Sequence, residues 1–275
     1  MASTNPGSLW YVYGVVPANF APASAPDGLD DANVSVAAAQ NDNVAALVSR
    51  LDHPDYEPAT LEERSGDVEW LSPRAMAHDR VLTWASDRGA VIPFPMFSLF
   101  SGERAVQDML RDRAEQLTAT LEKIGASREY ALRVYRVDAE LLAAVPELSP
   151  RIKQLAATAA AASPGQRYLL ERKLDGEKRS ELRTVTQQVV EDVVDQLRAS
   201  ARAVQRSPIP RVSDAESTRG TMVLNAAFLV APALLTDFQR TLTKLVNDRE
   251  RQGFRFDFTG PWPPYHFVNE PVDGV

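Results

Sequence analysis

Short apolar runs alternate with helical stripes along the first half of the chain, a pattern that predicts mixed α and β structure. Leu9–Val16 is rich in β-forming residues and is bounded by Gly7 and Pro17, as expected of a buried strand. Val34–Val36 is predicted to resume a strand, and Val44–Leu51 is predicted to form a short helix.

Three further elements complete this half. The Ser72-Pro73 pair predicts the start of a helix, because serine can cap free amide groups and proline fits the first helical position. Val91–Phe100 is apolar but contains two prolines, which favours an edge strand or an irregular extended segment. Apolar residues recur at helical spacing over Val106–Ile124, with a charged interruption at Arg113. We therefore predict an N-terminal α+β domain over residues 1–125.

The second half repeats the alternation in a more regular order. A strand pattern at Tyr130–Val134 is followed by helical patterns, two extended pieces, another helix and a final alternating strand at Phe254–Thr259. The order strand, helix, strand, strand, helix, strand is the split βαβ arrangement of a ferredoxin-like domain, which we place at residues 126–259. The apolar stripe of the longest predicted helix comprises Leu182, Val185, Val189, Val193 and Leu197.

The segment Gly260–Val268 combines prolines with aromatic residues near the C-terminal end of the chain. Each proline removes a backbone donor and opposes a helix, so the segment is predicted to run extended. We expect residues 260–275 to form a tail that packs on the body of the protein. Its side chains would either strap the two domains together or contact a partner; they are Trp262, Pro263, Pro264, Tyr265 and Phe267.

Composition and charge narrow the function classes. With 275 residues, 44% hydrophobic and 24% charged, the chain can bury one large core or two ordinary ones. A net charge of -7 and a pI near 5.1 argue against nucleic acid and anionic membranes as partners. Cysteine is absent, and no stretch has the length and apolarity of a membrane span. The N-terminus lacks an export signal pattern, and we expect a cytoplasmic protein.

The sequence offers no constellation for catalysis or metal binding. Its three histidines, His53, His78 and His266, lie far apart and lack metal-ligand spacing. His78 is expected at the surface or in an interface. Glycine-rich phosphate loops and the Gly-x-Ser-x-Gly elbow do not occur. We therefore predict no catalytic, metal or cofactor-binding residue and no enzyme activity.

Two features have a simple and a functional interpretation. The charged run Arg167–Arg183 is predicted to be a solvated helix face, the alternative being a docking surface for an acidic partner. Phe254, Phe256 and Phe258 share one strand face and could stack on RNA bases. Because the apolar helix Leu234–Leu245 could cover that face, core packing is the preferred prediction.

Several of these segments together resemble the gas vesicle protein F/L family (GvpF/GvpL). The most specific is the tail Gly-Pro-Trp-Pro-Pro-Tyr-His-Phe-Val at 260–268. Weaker similarities occur in chain order, at 11–15, 78–82, 91–94, 165–168 and 225–230. One departure is Phe97-Ser98-Leu99-Phe100, where relatives commonly have a Phe-Gly-Thr-like turn, so the shape of this loop is expected to differ.

The resemblance implies an accessory protein of gas vesicle assembly. Such a protein would bind the hydrophobic major shell protein and other gas vesicle accessory proteins, support assembly or nucleation as a minor component, and need no cofactor. It would be cytoplasmic and associated with the vesicle. The alternatives are a ferredoxin-like protein that binds or converts a small molecule, and RNA binding through the sheet.

Overall fold

The computed structural model describes residues 9–38, 43–51, 54–210 and 219–268. These residues form two compact units. Residues up to Glu129 and those from Pro261 onward make up the first unit, and Tyr130–Gly260 make up the second. Helices and antiparallel strands occur in both, which confirms the predicted α+β class. No helix in the described part of the chain is long and apolar enough to span a bilayer.

The first unit is built around a sheet of two long strands, β1 and β3, and three short ones. Their order is β2-β3-β1-β4, and β5 also pairs with β1. The strands are β1 (Leu9–Pro17), β2 (Ser35–Ala38), β3 (Val44–Leu51), β4 (Ile92–Pro93) and β5 (Leu99–Phe100). The helices are α1 (Pro58–Arg64), α2 (Val68–Ser86), α3 (Glu103–Asp112) and α4 (Ala114–Ile124).

The predicted helix at Val44–Leu51 is wrong, because this segment is strand β3. It pairs antiparallel with β1, from Leu9 opposite Leu51 to Pro17 opposite Val44. Every residue of β3 except Arg50 is buried. A segment buried on all sides shows no polar period that separates strand from helix, so pairing with β1 decides its structure.

Two helix boundaries also differ from the prediction. Helix α2 begins at Val68, where the Asp67 side chain accepts the Trp70 amide, and Pro73 lies inside the helix. Asp67 therefore caps the helix one turn before the predicted Ser72-Pro73 start. The predicted helix over Val106–Ile124 is two helices, since the backbone leaves helical geometry at Arg113 (φ -115°).

The second unit places its helices around a four-stranded sheet of order β7-β8-β6-β9. Its strands are β6 (Arg128–Arg136), β7 (Ala203–Arg206), β8 (Thr221–Val230) and β9 (Phe254–Trp262), of which β6 and β9 extend into the first unit. Its helices are α5 (Asp138–Leu148), α6 (Pro150–Ala161), α7 (Pro164–Arg198) and α8 (Leu235–Glu250).

Stacked aromatic rings form part of the core of the second unit, which is otherwise mostly leucine and valine. Phe254 is fully buried, and the ring of Phe258 stacks on Tyr130 at 5.4 Å and on Phe238 of α8 at 6.0 Å. Phe256 packs against the same cluster. Core packing of these strand residues is confirmed, and they offer no open platform for nucleic-acid bases.

Helix α7 has two different halves. Its C-terminal half buries the predicted apolar stripe in the core of the unit. Its N-terminal half is mostly exposed and packs on α6, where Arg151 pairs with Glu177 and Glu181. Tyr168 and Leu169 are exposed there. The charged run on this half is therefore exposed to solvent, as both interpretations of it require.

We expect Gly14→Ala to destabilise the first unit by about 2 kcal/mol, because overpacking a filled site costs roughly 1 to 3 kcal/mol. A Cβ at Gly14 would lie 2.5 Å from the Ile92 carbonyl oxygen and 3.1 Å from Leu82 Cδ2. Urea unfolding measures the change. The matched control is Gly102→Ala, whose Cβ would meet no atom within 4 Å. Equal effects of the two substitutions would contradict the prediction.

Candidate partner-binding site

The proline and aromatic segment returns to the first unit and ends in a compact turn. Strand β9 continues to Trp262, and Tyr265–Phe267 form a 3-10 turn. The amides of Tyr265 and Phe267 donate to the carbonyls of Pro263 and Pro264, at 2.8 and 3.1 Å. Pro263, Pro264 and Phe267 are buried, whereas Trp262 and Tyr265 keep about two-fifths of their surface exposed. The remaining tail positions, 269–275, lie outside the described residues.

A buried glutamate holds this turn in place. Glu129 is only 2% exposed, and its carboxylate accepts the backbone amide of His266 at 2.8 Å. Its other oxygen pairs with Nδ1 of the same histidine at 2.6 Å. A carboxyl group taken out of water needs such partners, so the turn and Glu129 depend on each other.

Tyr265, a partly exposed residue of the turn, contacts helix α2. The Tyr265 hydroxyl lies 3.4 Å from Asp79 Oδ1. The pKa of Tyr265 is raised well above its usual value, first by burial and then by the charge of Asp79. The phenol therefore stays protonated at neutral pH and can donate a hydrogen bond.

A cavity of about 540 Å³ lies next to Tyr265. Its walls are mostly apolar and come from three places in the chain. Helix α2 contributes Ala75, His78 and Asp79, the β4 region contributes residues 92–96, and the tail contributes Tyr265 and Val268. Residues more than 180 positions apart in sequence therefore form one site.

His78 lines this cavity and is buried, whereas the sequence predicts it at the surface or in an interface. Its Nδ1 lies 2.6 Å from the Tyr11 hydroxyl, and the imidazole also hydrogen-bonds to the backbone of Phe94. Burial lowers the pKa of His78 to about 4, and the bond to Phe94 offsets only part of this effect. His78 is therefore neutral at pH 7 and stabilises the loop after β4.

The same loop contains a left-handed aromatic residue. Phe97 has a φ of 65°, a conformation that costs a bulky side chain free energy unless its surroundings compensate. Its amide donates to the Tyr11 hydroxyl at 3.3 Å, and its ring stacks on Trp70 at 5.6 Å. Arg74 also packs over Trp70, its guanidinium carbon lying 4.1 Å from a ring centroid. The sequence predicts a different loop shape because this chain lacks the glycine of its relatives, a residue that readily adopts positive φ. Positive φ nevertheless occurs in this loop, because Phe97 itself adopts it.

The site offers shape and apolar surface instead of reactive groups. No cluster of three or more metal-ligating side chains occurs among the described residues. His53 lies outside them, and His78 and His266 are engaged in the contacts above. Sequence reasoning identified the tail side of the site but missed the side formed by α2. The sequence did carry a signal for this side: Ala75 and Asp79 are four residues apart and therefore share one face of the helix, and the exposed Met76 follows Ala75.

The family model for gas vesicle synthesis protein GvpL/GvpF matches residues 9–269, nearly the whole chain and all of this site. The chain belongs to the GvpL/GvpF family. Gas vesicle protein L of a Streptomyces species is 27% identical over 236 residues, covering 85% of this chain and 83% of that protein. Gas vesicle protein L2 of Halobacterium salinarum is 28% identical over 270 residues, covering 94% of this chain and 90% of that protein.

Solved GvpF structures share the fold. The crystal structure of GvpF from Anabaena superposes with a TM-score of 0.64 at 18% identity, over 96% of this chain and 97% of that one. GvpF from Microcystis aeruginosa gives a TM-score of 0.64 at 19% identity, over 96% and 99% of the two chains. The similarity therefore extends over both units of this GvpL/GvpF chain.

Replacing Phe267 with alanine is expected to destabilise the first unit by about 3 kcal/mol, the usual cost of removing a buried phenylalanine. Phe267 is only 6% exposed. Chemical unfolding followed by circular dichroism measures the change. The control Val68→Ala, at a 71% exposed position, should stay within about 0.5 kcal/mol of the parent protein. A loss below about 1 kcal/mol for Phe267→Ala would mean that the tail contributes little to the unit.

The pH dependence of stability should report on His78. Its folded pKa of about 4 lies below the ordinary value of about 6.5, so its contribution to stability is complete above about pH 6.5 and is lost as the pH falls toward 4. We expect a loss of about 2 kcal/mol from this group between about pH 7.5 and about pH 5. His78→Gln should remove that part of the pH dependence. An unchanged pH profile in the variant would contradict the assignment.

Proposed function

We propose that this protein is an accessory factor of gas vesicle assembly that binds the hydrophobic major shell protein. The observation that carries the proposal is the apolar, partly open cavity beside the tail, in a chain that matches the GvpL/GvpF family over residues 9–269. The protein acts together with other gas vesicle accessory proteins, in the cytoplasm and at the vesicle, as a minor component and without a cofactor.

The physical need for such a factor follows from the chemistry of its client. A shell subunit that has not yet assembled exposes apolar surface, and exposed apolar surface promotes aggregation. A protein that covers this surface transiently keeps the subunit available for assembly or nucleation. An open apolar site with a few polar groups suits transient binding, because it buries limited area.

The two earlier interpretations of the tail apply to different side chains. Pro263, Pro264 and Phe267 are buried, which supports a structural role in anchoring the turn. Trp262 and Tyr265 are partly exposed, and Tyr265 lines the cavity, which supports a role in partner contact. We therefore assign the anchor to the first group and partner binding to the second.

We further propose that the two units are domains and that the second is ferredoxin-like. The supporting observations are the helices α5–α7 between its first and second strands, α8 between its third and fourth, and the strand order β7-β8-β6-β9. The first strand in sequence, β6, thus lies centrally beside the third and the fourth, as the split βαβ arrangement requires.

Small-molecule binding is the second candidate, favoured by the volume of the cavity. About 540 Å³ falls within the range of ligand pockets, roughly 300 to 1,000 Å³. It predicts that a compound in a thermal-shift screen raises the melting temperature and that Ala75→Trp, which fills the cavity, abolishes this shift.

Co-expression of the tagged protein with the gas vesicle proteins tests the main proposal. We expect the major shell protein to co-purify with the tagged chain, and deletion of the gene to reduce vesicle formation. A tagged unrelated protein of similar charge is the control for nonspecific capture of the hydrophobic shell protein. Absence of all gas vesicle proteins from the purified sample, together with normal vesicles in the deletion strain, would refute the proposal.

A further inference from the structure

We propose that the surface around the cavity of the first unit is a docking site for an amphipathic helix that has an apolar face and a flanking basic residue. We call this surface the α2-tail face and define it by Met76, Asp79, Met96, Tyr265 and Val268. The inference rests on the proposed function and names the kind of segment in the partner that the site would bind.

The first argument is the exposure of apolar side chains around the cavity. Met76 is 64% exposed on α2, next to the cavity-lining residue Ala75. Val68 is a second exposed apolar residue of α2, two helical turns earlier, and the exposed Ser72 lies between it and Met76. Tyr265 lies partly exposed at the cavity wall. Exposed apolar side chains grouped around a concavity are characteristic of binding sites.

The second argument concerns the shape of the occupant. The cavity is open to the surface and is lined in part by Met96, whose flexible thioether side chain adapts to different apolar partners, and the exposed Met76 follows the lining residue Ala75 on α2. Tyr265 supplies an aromatic ring held by a structured turn, the kind of group that dominates binding energy in interfaces. An amphipathic helix uses such a groove by inserting apolar side chains spaced three or four residues apart.

The third argument is charge. Asp79 lines the cavity and, among the described residues, its hydrogen-bond partner is the Tyr265 hydroxyl at the long distance of 3.4 Å. His78 is neutral at pH 7, and Arg80, which follows Asp79 on α2, does not line the cavity. The local charge is therefore negative, which favours a basic residue in the partner.

These arguments fit together in one geometry. An apolar side chain of the partner helix inserted beside Met96 places the residues of the adjacent turn about 5 to 6 Å away. A lysine or arginine at that position reaches the carboxylate of Asp79. Its aliphatic stem would cover Met76 or Tyr265 while its charged end pairs with the carboxylate.

Two synthetic helical peptides of about 16 residues provide the test, a length at which isolated helices become stable enough to study. They share one leucine face, which is flanked by lysine in the first peptide and by glutamate in the second. Fluorescence anisotropy with the full-length protein should show about tenfold tighter binding of the lysine peptide, equivalent to about 1.4 kcal/mol. Met76→Glu should weaken its binding about tenfold, and Asp79→Asn should remove the preference for lysine over glutamate.

The matched control is Leu169→Glu, which introduces the same charge at a 67% exposed position of α7 in the second unit. It should leave the affinity of the lysine peptide unchanged. The inference is overturned if the two peptides bind equally well, if neither binds, or if Leu169→Glu weakens binding as much as Met76→Glu does.

Co-purification with the shell protein separates this inference from the proposed function. Reduced capture by Met76→Glu, with capture by Leu169→Glu unchanged, supports the α2-tail face. Equal capture by the parent protein and Met76→Glu refutes the docking site and leaves the assembly role intact. Lack of capture by the parent protein, with selective binding of the lysine peptide, refutes the shell protein as client and supports the docking site.

Discussion

The buried carboxylate of Glu129 is the interaction on which the site depends. A carboxyl group that is almost completely removed from water is costly unless hydrogen bonds replace its hydration, and the backbone and ring of His266 supply them. This requirement fixes the 3-10 turn of the tail and buries Phe267. Tyr265 is thereby placed at the cavity, although it lies 136 positions after Glu129 in the chain.

The opposite wall of the cavity is fixed by a second buried network. Tyr11 connects β1 to His78 of α2 and to the amide of Phe97, while His78 also binds the backbone of Phe94. The loop after β4 is thus attached to both the sheet and the helix. Two buried polar networks therefore hold the walls of the apolar cavity, so its shape is set by contacts within the unit itself.

Much of the fold could be predicted from the sequence because most elements have a clear period. The alternating residues of β6 and β9 and the stripe of α7 are examples. Strand β3 could not be predicted, because both of its faces are buried and its sequence therefore shows no alternation of apolar and polar residues. The prolines and aromatic residues of the tail marked it as an unusual segment in the sequence. Its contact with Glu129 could not be predicted, because a single glutamate in a strand gives no signal that it is buried. The burial of His78 could not be predicted either, because it depends on a contact with Tyr11, which lies 67 residues away in the chain.

The order of the chain has a consequence for biosynthesis. The second unit is inserted between Glu129 and Pro261 of the first, so the first unit lacks one wall of its cavity until the residues after Gly260 have been translated. Ribosomal synthesis proceeds from the N-terminus, and domains tend to fold in that order. In this chain the N-terminal residues of the first unit can complete their fold only after the residues from Pro261 onward have been synthesised. A nascent or prematurely terminated polypeptide therefore cannot form the complete cavity.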